Sequence, residues 1–499
     1  MAWIRRGEGM VGLGCYACTD VAGPSEADAW WSAFVEGLDH ESEVQGVAGS
    51  GPLAFGSFTF DPDHTGAVSR LIVPQVVIGR RQGRAWLTVL GDEASLVETH
   101  PHTVIPANAG ISASTVIPSD TVIPWDTVIP ADTVIPANAG ISAAHTVIPA
   151  NAGISAADPG LRSLPRSGGA PHSASQLRLS PDELVETAPL VELVETPGGP
   201  PTVRPCASPA RAPRDVQIAD DQDAEDRWKR RVAEAVHRIE TNGLEKVVLA
   251  RSVTARAAEP IDARHVVNVL ARDYPSCWTY SIDGLVGASP EMLIRRERGL
   301  ATSRILAGTI RRTGSEETDL KLAGALARSS KNLAEHELAV DSVAHALAPL
   351  CSGMNVPESP YVLELPNVLH LATDVTAVAH KKASALRLAA ALHPSAAVCG
   401  TPTNVARAAI AELEGLDRGR YSGPVGWIDA RGDGEWAIAL RCGIVDAADP
   451  RTIELFAGCG IVEGSDPEEE LAETQVKLVP MISALGAGTV REVAYGGKQ

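Results

Sequence analysis

The segment GPVGWIDARGDGEWAIALRCGIVDAADPRTIELFAGCGI, residues 423–461, indicates the fold class most directly. Short runs of apolar residues alternate there with clusters of Gly, Asp and Pro, a pattern typical of strands joined by turns. The segment Tyr361–Val378 also has the pattern of antiparallel strands. Because these strands are clustered in runs and do not alternate one-to-one with helices, they predict an α+β protein with a largely antiparallel sheet.

Helical patterns lie on either side of these strands. Ala224–Thr241 and Asp319–Leu350 have apolar residues at helical spacing, and each predicts one continuous helix. A closing helix is expected to start at 465–467, Ser-Asp-Pro, because Ser or Asp can cap it and Pro suits its first turn. The three glutamates at 468–470 fall in the first turn of this helix, where their negative charge interacts favourably with the positive end of the helix dipole.

A repeated peptide interrupts the chain. TVIPANAGIS occurs at 103–112, 133–142 and 146–155, and shorter TVIP units lie between the copies. Their spacing is irregular, and a proline in every unit removes a backbone donor, so stacked structural repeats are not expected. We therefore expect 100–214 to be a disordered low-complexity insertion between an N-terminal portion, 1–99, and a main portion, 215–499.

Charge and hydropathy exclude several classes of function. The 499 residues include 43 Lys and Arg against 62 Asp and Glu, a formal net charge of −19. A nucleic-acid binder or a protein of anionic membrane surfaces needs a basic face, so neither partner is expected. No apolar run is long enough to span a bilayer, and the first residues lack the apolar core of a signal peptide. We expect a cytoplasmic protein.

A few polar residues lie at positions where a metal-binding, anion-binding or catalytic role is possible. Glu470 and Glu473 share a face of the closing helix, and Glu335 lies on another helix; together such carboxylates suit magnesium. Arg441 lies inside an apolar strand, where a guanidinium needs an anionic partner or a route to solvent. Lys246 starts an apolar strand and would become a base if partly buried. Spacing alone leaves ordinary solvated roles open for all of them.

Seven ordered strings resemble the chorismate-utilising enzymes, and among these they are most similar to the isochorismate synthases. The strings are EKVVLAR (245–251), GASPEMLIRR (287–296), LAGTIRR (306–312), KNLAEHELAVD (331–341), LHPSAAVCGTPTNVA (392–406), RGRYSGPVGWIDARGDGEWAIALRC (418–442) and AGCGIVEGSDPEEELAETQVKL (457–478). The resemblance implies a large antiparallel sheet sandwich flanked by helices, with chorismate as substrate and Mg²⁺ as cofactor.

The same resemblance implies roles for individual residues. Lys246 matches the base that activates water, and Glu291 matches the general acid. Glu335 and Glu473 match the metal ligands, with Glu470 in or near the metal's coordination shell. The residues expected around the substrate are Gly308, Thr309, His393, Thr401, Tyr421, Arg441, Gly458, Gly460 and Lys477.

The implied reaction adds water at C2 of chorismate and expels the C4 hydroxyl, which requires a base and an acid. Family members that use ammonia carry Gln where this chain has Lys246, and aminodeoxychorismate synthases carry a lysine where this chain has Ala307. Salicylate synthases keep the base lysine, so salicylate formation stays open. A repeat-bearing interaction protein and an inactive chorismate-binding relative also stay open. The expected enzyme is a monomer that feeds menaquinone or siderophore biosynthesis.

Overall fold

The computed structural model describes residues 1–38, 40, 44, 46–90, 147–149, 191–194, 202–205, 210–219, 222–241 and 243–487. The expected insertion at 100–214 lies outside these residues apart from three short strands and 210–214. Its expected disorder, and the division of the chain at its ends, therefore stay predictions. In the part of the chain that the structure describes, no helix is both long and apolar enough to cross a membrane.

Strands account for more of the described residues than helices do. In chain order they are β1 Ala2–Arg5, β2 Glu8–Leu13, β3 Ala17–Val21, β4 Leu53–Ser57, β5 Ser69–Val73, β6 Val76–Arg81, β7 Arg84–Val89, β8 Val147–Pro149, β9 Val191–Val194, β10 Thr202–Pro205, β11 Gln217–Ile218, β12 Lys246–Arg256, β13 Trp278–Ile282, β14 Leu285–Ser289, β15 Met292–Glu297, β16 Leu300–Arg311, β17 Cys351–Asn355, β18 Tyr361–Glu364, β19 Val368–Ala379, β20 Gly400–Thr401, β21 Pro424–Asp429, β22 Gly434–Ile438, β23 Cys442–Val445 and β24 Thr452–Ile461.

The helices lie between runs of these strands. They are α1 Pro24–Glu36, α2 Gln222–Thr241, α3 Ala263–Asp273, α4 Glu316–Leu326, α5 Ser330–Leu347, α6 Ala385–Leu392, α7 Thr403–Leu413 and α8 Pro467–Ala484, with a short 3₁₀ helix at Pro62–His64.

Two large sheets form the body of the protein. The first has the strand order β11-β12-β24-β23-β14-β13-β1-β2-β6-β7-β8, with β20 also paired to β12. The second has the order β17-β19-β16-β15-β22-β21-β4-β5-β3, with β18 also paired to β19. Neighbouring strands run antiparallel in both sheets. The N-terminal residues contribute to both, because β1 pairs with β13 in the first sheet and β4 pairs with β21 in the second.

The two sheets pack face to face. Trp3 and Tyr280 of the first sheet share one buried cluster with Phe55 and Trp427 of the second. The other face of the first sheet is covered by α3 and α8, and that of the second by helices that include α1 and α6. This arrangement confirms the predicted α+β sandwich flanked by helices.

One helix prediction is wrong in extent. The pattern at Asp319–Leu350 predicted a single helix, but α4 ends at Leu326 and α5 starts at Ser330. The hydroxyl of Ser329 accepts a hydrogen bond from the backbone N–H of Asn332 and caps the new helix. A serine with an extended backbone favours the start of a new helix over continuation of the preceding one, because its side chain accepts a hydrogen bond from a free backbone N–H of the first turn. The predicted closing helix is confirmed, and the Asp466 carboxylate caps it.

Candidate active site

Most of the predicted site residues meet in one cavity between the two sheets. Its space, counted with the open mouth, is about 620 Å³, which suits a small-molecule ligand. The predicted residues that line it are Lys246, Glu291, Gly308, Thr309, Glu335, Tyr421, Arg441, Gly458, Gly460, Glu473 and Lys477. They come from both sheets, from α5 and from α8, although the sequence separates them by more than two hundred positions.

Lys246 is the first residue of β12 and is only 1% exposed. Its ammonium donates to Oε1 of Glu335, on α5, at 2.9 Å. Burial alone would raise the pKa of Glu335, but the charges of Lys246 and, further off, Lys477 hold that pKa below its ordinary value. Glu335 is therefore a carboxylate at neutral pH, and it holds the Lys246 nitrogen in place.

A glycine makes this close approach possible. Gly460 lies on β24 beside Lys246, and a Cβ at this position would stand 2.9 Å from Cε of Lys246 and 3.0 Å from Oε1 of Glu335. Such distances are too short for ordinary van der Waals contact. Any larger residue at 460 would push the lysine and the glutamate apart.

Glu291 directly precedes β15 and is 5% exposed. Burial raises its pKa to about 7, and the nearby charges of Lys246, Arg441 and Lys477 limit the increase. A carboxyl group with this pKa still carries its proton in a large fraction of molecules at neutral pH. Glu291 can therefore donate a proton to a leaving group in the cavity.

Arg441 is a buried cation for which the described part of the chain supplies no carboxylate partner within ion-pair distance. Burial lowers the pKa of its guanidinium, and its backbone has a φ of 48°, in the left-handed region. Its Nη2 donates to Nε2 of His370 at 3.4 Å. A buried guanidinium without a protein anion points to an anionic group of the ligand.

His370, on β19, is a cavity residue that sequence reasoning missed. Burial lowers its pKa well below the ordinary value, and the Arg441 charge adds to this effect, so the ring is neutral. Because Nε2 accepts from Arg441, Nδ1 carries the proton and donates to Oγ1 of Thr309 at 3.1 Å. The only available signal was a single histidine within the apolar run VLHLA at 368–372.

Lys477 connects α8 to β24. Its ammonium donates to the backbone carbonyl of Gly458 at 2.8 Å and lies 2.6 Å from Oε1 of Glu473, one helical turn earlier. Both Lys477 and Glu473 line the cavity, whereas Glu470 lies on α8 outside its lining. Burial raises the pKa of Glu470, and the negative charge of Glu473 raises it further.

The three predicted metal ligands do not form a ready-made metal cage. Among the described residues, no three His, Cys, Asp or Glu side chains are grouped closely enough to hold an ion. Glu335 and Glu473 each bind a lysine instead. Their chemistry nevertheless fits magnesium, which takes carboxylate oxygens and commonly completes its shell with water and substrate oxygens.

Two predicted substrate residues lie beside the cavity and do not line it. Nε2 of His393 donates to the Phe60 carbonyl at 2.9 Å, since a carbonyl oxygen can only accept. Burial lowers the pKa of His393 to about 4, so the ring is neutral. Thr401 pairs with Lys246 through the short strand β20 and contacts its backbone. Thr401 thus pairs with a lining residue, whereas the hydrogen-bond partner of His393, Phe60, does not line the cavity.

Related sequences identify the family of this chain. The profile of the family described as chorismate binding enzyme matches residues 203–486. The chain is 39% identical over 271 residues to the isochorismate synthase DhbC of Bacillus subtilis, which is 52% of this chain and 67% of the relative. It is 38% identical over 275 residues to the isochorismate synthase MenF of the same organism, which is 54% of this chain and 58% of the relative.

A solved structure shows the same fold. A putative 2,3-dihydroxybenzoate-specific isochorismate synthase, DhbC from Bacillus anthracis, aligns with a TM-score of 0.63 at 24% identity, covering 98% of this chain and 96% of that one. The family profile covers more than half of the chain and includes all the residues that line the cavity. The chain therefore belongs to the chorismate-binding enzyme family.

Proposed function

We propose that this protein is an isochorismate synthase, which adds water to C2 of chorismate and expels the C4 hydroxyl. The observation that carries the proposal is one cavity in which a buried lysine, a glutamic acid with a pKa of about 7 and a buried arginine that pairs with no described carboxylate converge. The relatives named isochorismate synthases support the same activity.

The cations of the cavity bind the substrate. Chorismate carries two carboxylates, and an acidic protein needs local positive charge to hold such a dianion. Arg441 offers two N–H groups in a fork that matches a carboxylate, and Lys477 adds a second positive charge on the α8 side. Since Thr309 Oγ1 accepts from His370, its own proton is free to point at a substrate oxygen.

Lys246 and Glu291 perform the proton transfers. Lys246 comes from a strand of the first sheet, whereas Glu291 comes from the turn that leads into the second. Water is a poor nucleophile at neutral pH, so the reaction needs Lys246 as the neutral amine, which takes a proton from water as the oxygen attacks C2 and becomes the ammonium. Hydroxide is a poor leaving group, so Glu291 gives a proton to the C4 oxygen as its bond breaks. The Glu335 carboxylate orients the Lys246 nitrogen during the first transfer.

Magnesium is the cofactor that the donor set fits. Glu335 and Glu473 would hold it, with Glu470 close by on α8. When bound, the ion supplies charge neutralisation for the ring carboxylate of the substrate. Glu335 also accepts from Lys246 through Oε1, so a cation held by this carboxylate would share it with the lysine.

The test is product identification by NMR after purified protein is incubated with chorismate and magnesium. Isochorismate without pyruvate supports the proposal, and salicylate with pyruvate would assign the chain to the salicylate synthases instead. Lys246→Gln is the inactive comparison, and Lys321→Gln, at a 73% exposed side chain on α4, is the matched control that keeps activity. Loss of turnover in chelator, restored by magnesium, supports the cofactor assignment.

The setting of the enzyme is part of the same proposal. We infer a cytoplasmic monomer that acts on a small substrate and has no nucleic-acid partner, because the net charge of −19 opposes binding to polyanions. Light scattering at micromolar concentration measures the oligomeric state directly. A stable dimer would contradict the inferred monomer.

A further inference from the structure

Among the described residues, the edge of β12 opposite β24 pairs with other strands only at its two ends. β20 covers the first two residues of the strand, and β11 covers the last two. The backbone groups of Val248 and Ala250 lie on this edge between the two short strands. Because buried backbone groups need hydrogen-bond partners, these two residues must find theirs outside the sheet.

A buried ion pair supplies the missing partners. Glu414, just after α7, accepts a hydrogen bond from the backbone N–H of Ala250 through Oε1 at 2.7 Å. Arg418 donates from Nη2 to the Val248 carbonyl at 2.7 Å and from Nη1 to the Val398 carbonyl at 3.0 Å. The two side chains also bind each other twice, once from Nε to Oε2 at 2.8 Å and once from Nη2 to Oε1. The pair thus takes the place of a neighbouring strand.

Both charges of this pair are removed from solvent. Glu414 is 1% exposed and Arg418 is 4% exposed. Burial alone would lower the pKa of Arg418, but the charge of Glu414 raises that pKa above its ordinary value, so the guanidinium stays protonated. A buried ion pair adds little stability over apolar side chains of similar volume, because desolvation offsets most of the attraction. Stability alone therefore does not account for the pair at this position.

The backbone that the pair holds belongs to the wall of the active-site cavity. Val248 and Val398 line the cavity, and Lys246 lies two residues before Val248 on the same strand. Since alternate residues of a strand point to the same face, the side chains of Lys246 and Val248 share the face toward the cavity. A shift of β12 at Val248 would therefore move the Lys246 nitrogen relative to Glu335.

We infer that Arg418 and Glu414 are positioning residues for the reaction. They fix the open edge of β12 and so hold the Lys246 amine at the place where it takes a proton from water. Neither side chain lines the cavity, so both act through the strand. The inference rests on the proposed function of Lys246 as the base. A displacement of about 1 Å at a reacting group can cost about 10²-fold in rate, so rigid support of this strand has a direct consequence for turnover.

The first test measures kcat and KM for chorismate consumption in two variants. Arg418→Lys keeps a positive charge beside Glu414, but an ammonium lacks the planar fork that reaches two carbonyls and a carboxylate together. We expect kcat to fall about tenfold in Arg418→Lys and about 10²-fold in Arg418→Ala, because the base is displaced. KM should change less than about threefold, because Arg441 and Lys477 still bind the substrate carboxylates. Arg418→Lys carries the test if Arg418→Ala fails to fold.

A small cavity on the outer side of the ion pair allows chemical rescue. Glu414 and Arg418 both line it, and its space, counted with its mouth, is about 340 Å³. Methylguanidinium at millimolar concentration, far below denaturing concentrations, should enter the space left in Arg418→Ala and restore part of kcat. Urea, a neutral compound of similar shape, should not. Equal recovery in urea, or recovery in neither compound, would contradict the positioning role.

Arg296→Ala is the matched control for loss of stability. It also breaks an ion pair with a buried carboxylate, that of Asp433, but neither of these residues lines the cavity. This variant should lose stability and keep kcat within about twofold of the wild type.

Hydrogen exchange followed by mass spectrometry gives a readout without turnover. The backbone amides at 248–250 should exchange faster in Arg418→Ala than in the wild type, and Arg296→Ala should leave them unchanged. A wild type that does not consume chorismate refutes the proposed function, whereas the exchange still tests the hold on β12. The inference is overturned if folded Arg418→Lys keeps the wild-type kcat, if Arg296→Ala loses as much kcat as Arg418→Ala, or if exchange at 248–250 does not change.

Discussion

Replacing Glu291 by glutamine tests the acid–base assignment and the electrostatics behind it in one variant. Glutamine keeps the size and hydrogen-bonding capacity of the side chain but cannot give up a proton. We expect turnover of chorismate to fall by a factor of about 10² to 10⁴, which is the rate enhancement that a positioned general acid typically contributes. In the wild type, turnover should fall as the pH rises above about 7, because Glu291 then loses its proton.

The same substitution should remove the pH dependence of stability that comes from Glu291. Folding raises the pKa of Glu291 from 4.5 to about 7. The contribution of this group to the stability of the wild type is therefore fully present below pH 4.5, and it is lost as the pH rises through 7. At about 1.4 kcal/mol per pKa unit, the full loss is about 3 kcal/mol. Between about pH 5.5 and about pH 8.5 the loss is about 2 kcal/mol. Glutamine has no such dependence.

Urea denaturation without substrate, at these two pH values, measures the free energy of unfolding of both proteins. The free energy of unfolding of the variant minus that of the wild type should increase by about 2 kcal/mol between the lower and the higher pH. Glu337→Gln, at an exposed position of α5, is the matched control and should show no shift. An unchanged difference in stability would refute the raised pKa, and near-normal turnover of the variant would refute the role of Glu291 as acid.

Four other changes have definite expected outcomes. Lys246→Gln should abolish hydration of chorismate by removing the base, as measured by NMR of the product, and near-normal turnover would contradict this role. Gly460→Ala should inactivate a folded protein, because the new methyl group would stand 2.9 Å from Cε of Lys246; unchanged turnover with normal circular dichroism would count against the fit. Arg418→Ala should cost about 3–5 kcal/mol in urea denaturation, since it leaves the buried Glu414 without its ion-pair partner; a smaller loss in the double variant with Glu414→Gln is the control. Deletion of 100–214 should leave turnover unchanged, and loss of activity in a folded protein would give the repeats a role that the sequence does not predict.

Predictions that rest on residues adjacent in the sequence succeeded, and features that depend on backbone conformation or on distant residues were missed. The closing helix was predictable because its cap, proline and first-turn glutamates stand next to one another, and Asp466 indeed caps it. The division between α4 and α5 was missed because apolar spacing continues across it, while the cap at Ser329 depends on one backbone conformation. His370 was missed because nothing near it in the sequence distinguishes it from an ordinary buried residue of a strand.

The sequence by itself determined the antiparallel strands of the second half of the chain, the closing helix and the family, because these depend on periodicity, turn residues and ordered strings that can be read along the chain. Only the tertiary structure decided which side chains meet. Arg441 and His370 are 71 residues apart, and they touch because β19 and the turn after β22 belong to walls of one cavity. The pairing of Lys246 with Glu335 and the raised pKa of Glu291 likewise arise from sheet order and burial. Burial and charge proximity are properties of three-dimensional packing, so no local pattern of residues encodes them.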